Sequence, residues 1–279
     1  MSDALRRRLE TGAAVVAEGA ALAMRMRPPP GGPSGTLKSA QDYLTEADGA
    51  VEALIGARLA ELFPADGFQG EEGGRQRTGT LRWVVDPIDG TSNYARGRER
   101  WCVSLGLLEG DVPVAGIVVA PVLDETWLAL RGAGVTLNGV AVRAAPTRSL
   151  DTAMIEVGWG SKQPPEAFPR FMAAIRAEGA MPRSGGSGTL GLADVAAGRS
   201  DGYVEAYINL WDVAAALCLL EEAGAVVSPF LRDGGLERGI PILAAAPGVA
   251  ERLSEITGID LGIDLGIDLG GRVAQMPRF

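Results

Sequence analysis

The sequence predicts a layered α/β protein with an α+β first half, residues 1–147, and an α/β second half, residues 148–279. Three patterns carry this expectation. Two helical stretches precede Leu81. Short apolar or alternating runs fill Leu81 to Arg143. Strand-like and helix-like segments alternate from Asp151 onward. Strand meanders and β/α alternation mark sheets covered by helices.

Residues 3–27 read as an Ala-rich amphipathic helix that stops before PPPGGPSG, because prolines lack the N–H a helix needs. Its basic start looks like a signal peptide, but Glu10 and Glu18 interrupt the apolar run and no A-x-A cleavage site follows. A second helix spans Thr45 to Phe63, with Val51, Leu54, Ile55, Leu59, Leu62 and Phe63 at helical spacing. Thr45 and Asp48 form a cap of the S/T-x-x-D type. Pro64-Ala65-Asp66-Gly67 ends this helix, and FQGEEGG is a glycine-rich loop carrying Glu71 and Glu72. Trp83, Val84 and Val85 end a buried strand, followed by a rigid turn through Asp86, Pro87, Ile88 and Asp89. CVSLGLLEG, VPVAGIVVAP and ETWLALRG are strands of a meander, and GVTLNGVAVR adds a hairpin at Asn138-Gly139.

In the second half, AMIEVGW is a strand and Glu166 to Glu178 a helix. RSGGSGTL is a glycine-rich loop into the helix GLADVAAG, and DGYVEAYI is a strand. Asp212 to Ala223 is a helix, AVVSPF and ILAAAP are strands, and a last helix lies near Val249–Ile256. The tail repeats a GIDL unit from Gly258. Repeat slippage in a tolerant terminus is favoured over a calcium ladder of Asp260, Asp264 and Asp268.

A chain of 279 residues can bury a full core, as one large domain or two intimate subdomains. The formal charge of −9 argues against non-specific nucleic-acid binding, since phosphate backbones need basic faces. It leaves a phosphate substrate open, because divalent ions invert the sign of an acidic site. The chain has no histidine. That excludes Ser-His-Asp and Cys-His catalysis, His-ligated zinc and phosphohistidine. Acid–base work then falls to carboxylates, hydroxyls, Lys or metal-activated water. Cys102 and Cys218 sit in apolar runs and read as buried free thiols of a reducing cytoplasm, with a disulfide as the alternative. No stretch reaches the roughly 18 apolar residues of a membrane span, so a cytoplasmic protein is expected.

The chemistry concentrates in LRWVVDPIDGTSN. Carboxylates leaving an apolar strand are costly unless something cationic holds them. Gly90-Thr91-Ser92 directly after them leaves backbone N–H groups free to meet an oxyanion. Glu71, Asp86, Asp89, Asp48 and Asp212 all stand at segment ends. Singly, each has a plain reading: Asp48 and Asp212 as helix N-caps, Asp89-Gly90 as a turn, Glu71-Glu72 as a solvated loop. Together they form the all-oxygen donor set that hard divalent cations prefer.

GEE (Gly70–Glu72), DPIDGTSN (Asp86–Asn93) and WDVAAALCLLEEAGA (Trp211–Ala225) resemble the inositol monophosphatase family, across roughly Leu37 to Ala246. That family lies within the lithium-sensitive, magnesium-dependent phosphatases, which include fructose-1,6-bisphosphatase and bisphosphate nucleotidases. The resemblance implies an αβαβα layered sandwich and a homodimer. It implies a first Mg²⁺ on Glu71, Asp86 and the Ile88 carbonyl, a second on Asp86, Asp89 and Asp212, and a weaker third near Glu71. Gly90 and Thr91 would offer backbone N–H groups to phosphate at a helix start. Thr91 and Asp48 would orient and deprotonate the attacking water, with Glu71 in the same catalytic set, and Li⁺ would inhibit. Glu72 is expected to be solvated.

The implied activity is hydrolysis of a small polyol phosphate, with inositol 1-phosphate first and histidinol phosphate as the alternative. A non-catalytic, partner-binding role of the fold is the rival from another class. By the same resemblance, Asp89, Gly188 and Glu205 would meet the substrate, and the loop 184–189 would line its alcohol side. Asn93-Tyr94 is closer to inositol phosphatases than to bisphosphate nucleotidases. The chain departs from the family pattern at Ser92, in the Pro-Gly-rich loop before Lys38, and at Arg96 and Arg98, where histidine is common. Both arginines are expected to face solvent.

Overall fold

The computed structural model describes residues 3–31, 35–39 and 42–262. The helices α1 (Asp3–Met26) and α2 (Glu46–Leu62) flank a small hairpin of β1 (Thr36–Ser39) and β2 (Asp42–Leu44). There follow β3 (Gly67–Gly70), β4 (Gly74–Arg77), β5 (Leu81–Asp89) and the short α3 (Thr91–Ala95). A meander of β6 (Cys102–Glu109), β7 (Val112–Ala120), β8 (Glu125–Leu130), β9 (Gly134–Leu137) and β10 (Val140–Ala141) completes the first half. The second half runs β11 (Met154–Val157), α4 (Ala167–Ala177), β12 (Met181–Arg183), α5 (Gly188–Ala196) and β13 (Gly202–Ile208). It ends with α6 (Leu210–Glu222), β14 (Val226–Val227), β15 (Ile240–Ala245) and α7 (Ala250–Thr257).

Among the described residues, one sheet has eight strands in the order β10-β9-β8-β7-β6-β5-β3-β4, and another has five in the order β12-β11-β13-β15-β14. Period-two alternation sets what lies between them. On β5, Trp83 and Val85 face the core shared with α1 and α2, while Val84 faces the core shared with α5 and α6. On β13 and β15, Tyr203, Ile242 and Ala244 join that same central core, and Val204, Leu243 and Ala245 face α4 and α7. The result is the expected αβαβα order, with α5 and α6 wedged between two sheets.

The central wedge depends on two glycines. Gly106 and Gly116 face each other across β6 and β7. A Cβ at Gly106 would overlap the backbone of Ala214, and one at Gly116 would overlap the Ala215 carbonyl, so the pair forms a notch in which α6 seats. Gly116→Val should lift α6 off the sheet and destabilise the protein by about 1–3 kcal/mol or more, read as the chemical-denaturation midpoint. An unchanged midpoint would remove the notch as the reason for these glycines.

Several sequence expectations need correction. FQGEEGG is not simply a loop: β3 and β4 pair antiparallel, and β3 also pairs parallel with β5, leaving Glu71 and Glu72 in a tight turn. The strand expected to end at Val85 continues to Asp89. AVVSPF yields only the two-residue β14, and β12 and a π-helical turn at Leu231–Gly235 were unforeseen. Both helix ends expected near Met26 and Phe63 stand, as does the hairpin, where Asn138 and Gly139 adopt the positive φ its turn requires.

Cys102 and Cys218 are free and buried. No described helix is long and apolar enough to cross a membrane. The first GIDL unit docks: Gly258 closes α7 in the left-handed conformation, and Ile259 and Leu261 are buried on the outer core. Asp264 and Asp268 lie outside the described residues.

Candidate active site

Asp86 and Asp89 are three residues apart, a spacing that in a regular strand would put them on opposite faces. The ladder corrects this. Asp86 pairs with Ser104 and Asp89 with Cys102, so three steps on β5 oppose two on β6. Pro87 sits inside this bulge, where its missing N–H costs no ladder hydrogen bond. Both carboxylates therefore face α5 and α6. Asp212, in the first turn of α6, meets them there, and ligand oxygens of the three lie within 4.8 Å of one another.

Each carboxylate is held from behind. Asp86 Oδ1 accepts from the Ile88 N–H at 3.0 Å. Asp89 accepts from Gly188 N–H at 3.1 Å, Thr189 N–H at 3.0 Å, the Ser187 hydroxyl and the Cys102 thiol at 3.7 Å. Asp89 thus caps α5, a helix far from it in sequence. Asp212 accepts from Asn209 N–H at 2.9 Å and Asn209 Nδ2 at 3.2 Å, closing a capping box at the start of α6. The expected N-caps are corrected: Asn209 and Thr45 are the N-caps, Asp212 and Asp48 are the N3 partners of their capping boxes, and Asp212 belongs to the acidic cluster as well.

Burial raises the pKa of all three, Asp86 most strongly, with Glu71, Asp89, Asp212 and Asp48 adding like charge around it. Burial also raises Asp89, against the donors from Ser187, Gly188 and Thr189. Asp212 is pushed up to about 7 by burial and by Asp89. Converging buried oxygens that repel one another, in a purely carboxylate set, fit a hard divalent cation.

These residues floor a cavity of about 730 Å³. Glu71, Ile88, Gly90, Thr91, Gly188 and Glu205 also line it. Gly90 has φ +86°, and a Cβ there would come within 3.0–3.2 Å of Arg100 O, Gly186 O and Ser187 Cβ. It opens α3, whose first N–H groups have no partner four residues back. The Thr91 hydroxyl donates to the Ile88 carbonyl at 2.9 Å. Asp48 is buried and accepts from the Thr45 N–H at 2.8 Å and hydroxyl at 2.6 Å. It is not among the described residues lining the cavity, and its charge bears on Asp86. Glu72 does not line it either; its N–H donates to Glu52 at 2.9 Å. Arg96 and Arg98 are exposed, with Arg96 resting on the Tyr43 ring.

Near the acidic cluster Glu205 is buried, accepts from the Tyr203 hydroxyl at 2.6 Å, and is pushed up to about 8 by burial, with Asp212 and Asp89 adding like charge. A Cβ at Gly188 would stand 3.0 Å from Ile208 and 3.3 Å from the Tyr203 hydroxyl, so a larger residue would narrow the cavity here. Sequence reasoning missed Asn209, Glu156 and Lys162, and placed Ser187 only within the loop 184–189, not as a donor to Asp89. Ser187 and Asn209 were readable as polar residues just before apolar helices. Glu156 and Lys162 carried no local signal.

Fold and site define a layered α/β protein with a carboxylate cluster suited to a hard cation in the wall of a large cavity. The model of the inositol monophosphatase family matches residues 6–256, and the chain belongs to that family. The family is one of metal-dependent phosphatases, and the acidic cluster is able to bind a metal. A Xylella fastidiosa protein named Nus factor SuhB is 39% identical over 69% of this chain and 71% of its own length. An inositol-1-monophosphatase of Synechocystis is 37% identical over 68% of each chain. The solved inositol monophosphatase of Anabaena superposes with a TM-score of 0.78 at 29% identity, covering 90% of this chain and 95% of that one.

Proposed function

We propose that the protein is a Mg²⁺-dependent phosphomonoesterase acting on a small polyol phosphate, with inositol 1-phosphate the first substrate to test. The convergence of Asp86, Asp89 and Asp212 within 4.8 Å, beside the start of α3, carries this reading. Glu71, Asp86, the Ile88 carbonyl, Asp89 and Asp212 would hold two to three Mg²⁺ ions. Bound Mg²⁺ would neutralise charge on the phosphoryl group and favour ionisation of water.

The chain's own residues do the rest. The Gly90 and Thr91 N–H groups orient the phosphate, because a helix start favours anions. The Thr91 hydroxyl, held on the Ile88 carbonyl, and the Asp48 carboxylate set the position and proton of the attacking water. Glu205, with Tyr203 behind it, and Gly188 shape the alcohol side. Residues 1–147 and 148–279 act as two subdomains that share the site. The enzyme works as a cytoplasmic homodimer and is inhibited by Li⁺.

A panel of inositol, histidinol, sugar and nucleotide phosphates with Mg²⁺ tests the assignment. Fastest turnover of inositol 1-phosphate is the expected result. Turnover of histidinol phosphate far above it would reassign the substrate. No hydrolysis of any ester would favour a partner-binding role, although a net charge of −9 opposes direct nucleic-acid contact.

A further inference from the structure

Asp89 is held by the residues Ser187, Gly188 and Thr189, and the glycine-rich segment Gly185-Gly186 directly precedes them. Its support comes from elsewhere. Asn93 Nδ2, four residues after Asp89, lies 2.9 Å from the Gly185 carbonyl and 3.2 Å from that of Gly186, and 2.7 Å from the Arg100 carbonyl. The Gly185 N–H donates to Glu156 Oε1 at 3.1 Å. Arg100 forks across two carboxylates, reaching Glu156 Oε2 at 2.9 Å and Asp194 Oδ2 at 3.0 Å. A Cβ at Gly185 would overlap Arg100 Nε and come within 2.8 Å of Glu156 Oε1. Glycine at 185 is therefore matched to the arginine that lies against it.

We propose that Arg100 is a positioning residue: through Glu156 and Gly185 it clamps the 184–188 segment so that Ser187 and Gly188 aim Asp89 at the cation. Arg100 and Asn93 come from the first half, and Glu156, Gly185 and Asp194 from the second, so the clamp also fastens the two halves at the site. A planar guanidinium bridging two carboxylates resists rotation as a single ion pair does not. Partners that aim a metal ligand are typically worth about 10–100-fold in metal affinity. The proposal rests on the cation reading of the site, and its test is read without turnover.

Mg²⁺ binding to the metal-free protein is measured by calorimetry for wild type, Arg100→Met, Arg100→Lys and Gly185→Ala, with melting curves to confirm folding. Arg100→Met and Gly185→Ala should each weaken Mg²⁺ binding about tenfold. Arg100→Lys, which reaches one carboxylate at a time, should fall between them and wild type. Should Arg100→Met fail to fold, Gly185→Ala decides by the same criterion. Wild-type protein that takes up no Mg²⁺ overturns the cation reading. Wild-type binding matched within twofold by folded variants, whatever their melting temperatures, overturns the clamp alone.

Discussion

Asp212→Asn should abolish phosphatase activity while making the metal-free protein more stable near pH 8. The two effects share one cause. The asparagine Oδ1 can still accept both donors from Asn209, so the start of α6 survives. What disappears is a buried charge facing Asp89 and Asp86. Without cation that charge is unfavourable, and its removal relieves the fold. On the proposed reading it is a ligand once the cation binds, and losing it should cost several kcal/mol of transition-state stabilisation, a fall of about 10³-fold or more. Turnover within tenfold of wild type would overturn the role given to Asp212. A metal-free variant less stable than wild type would overturn the electrostatic account.

The second large effect is on stability against pH. Asp212 and Glu205 have folded pKa values of about 7 and 8, above their ordinary 3.8 and 4.5. A carboxyl raised in the fold favours the protonated native state. Its contribution is complete below the ordinary value and is lost as pH rises through the folded one. Metal-free protein should therefore lose stability between about pH 4 and pH 8, by an amount on the order of several kcal/mol. Mg²⁺ replaces the lost protons at Asp212, so it should raise the melting temperature far more at about pH 8.5 than at about pH 5.5. A Mg²⁺ shift equal at both values would contradict the linkage.

The parts of this site that were legible in sequence are those written locally. DPIDGTSN, GEE and the WD pair each mark a segment end, and the start of α2 at Thr45 follows capping chemistry. The illegible parts are long-range or cancel a local rule. The bulge that turns Asp86 and Asp89 to one face depends on the register of β5 against β6, which no short window contains. The hairpin β3–β4 hid in glycines, whose strand preference is poor until a neighbour such as β5 supplies hydrogen bonds. Arg100, Glu156 and Asp194 stand far apart in sequence and meet only after the two halves fold together.

The docked first GIDL unit has a consequence for how this chain can change over generations. Ile259 and Leu261 supply the anchoring contacts, and the copies that follow have the same sequence. If a copy is gained or lost by slippage, an identical unit still follows Thr257, and the same isoleucine and leucine reach the core. Tract length is thereby uncoupled from the packing of the folded body, and selection on folding cannot count the copies.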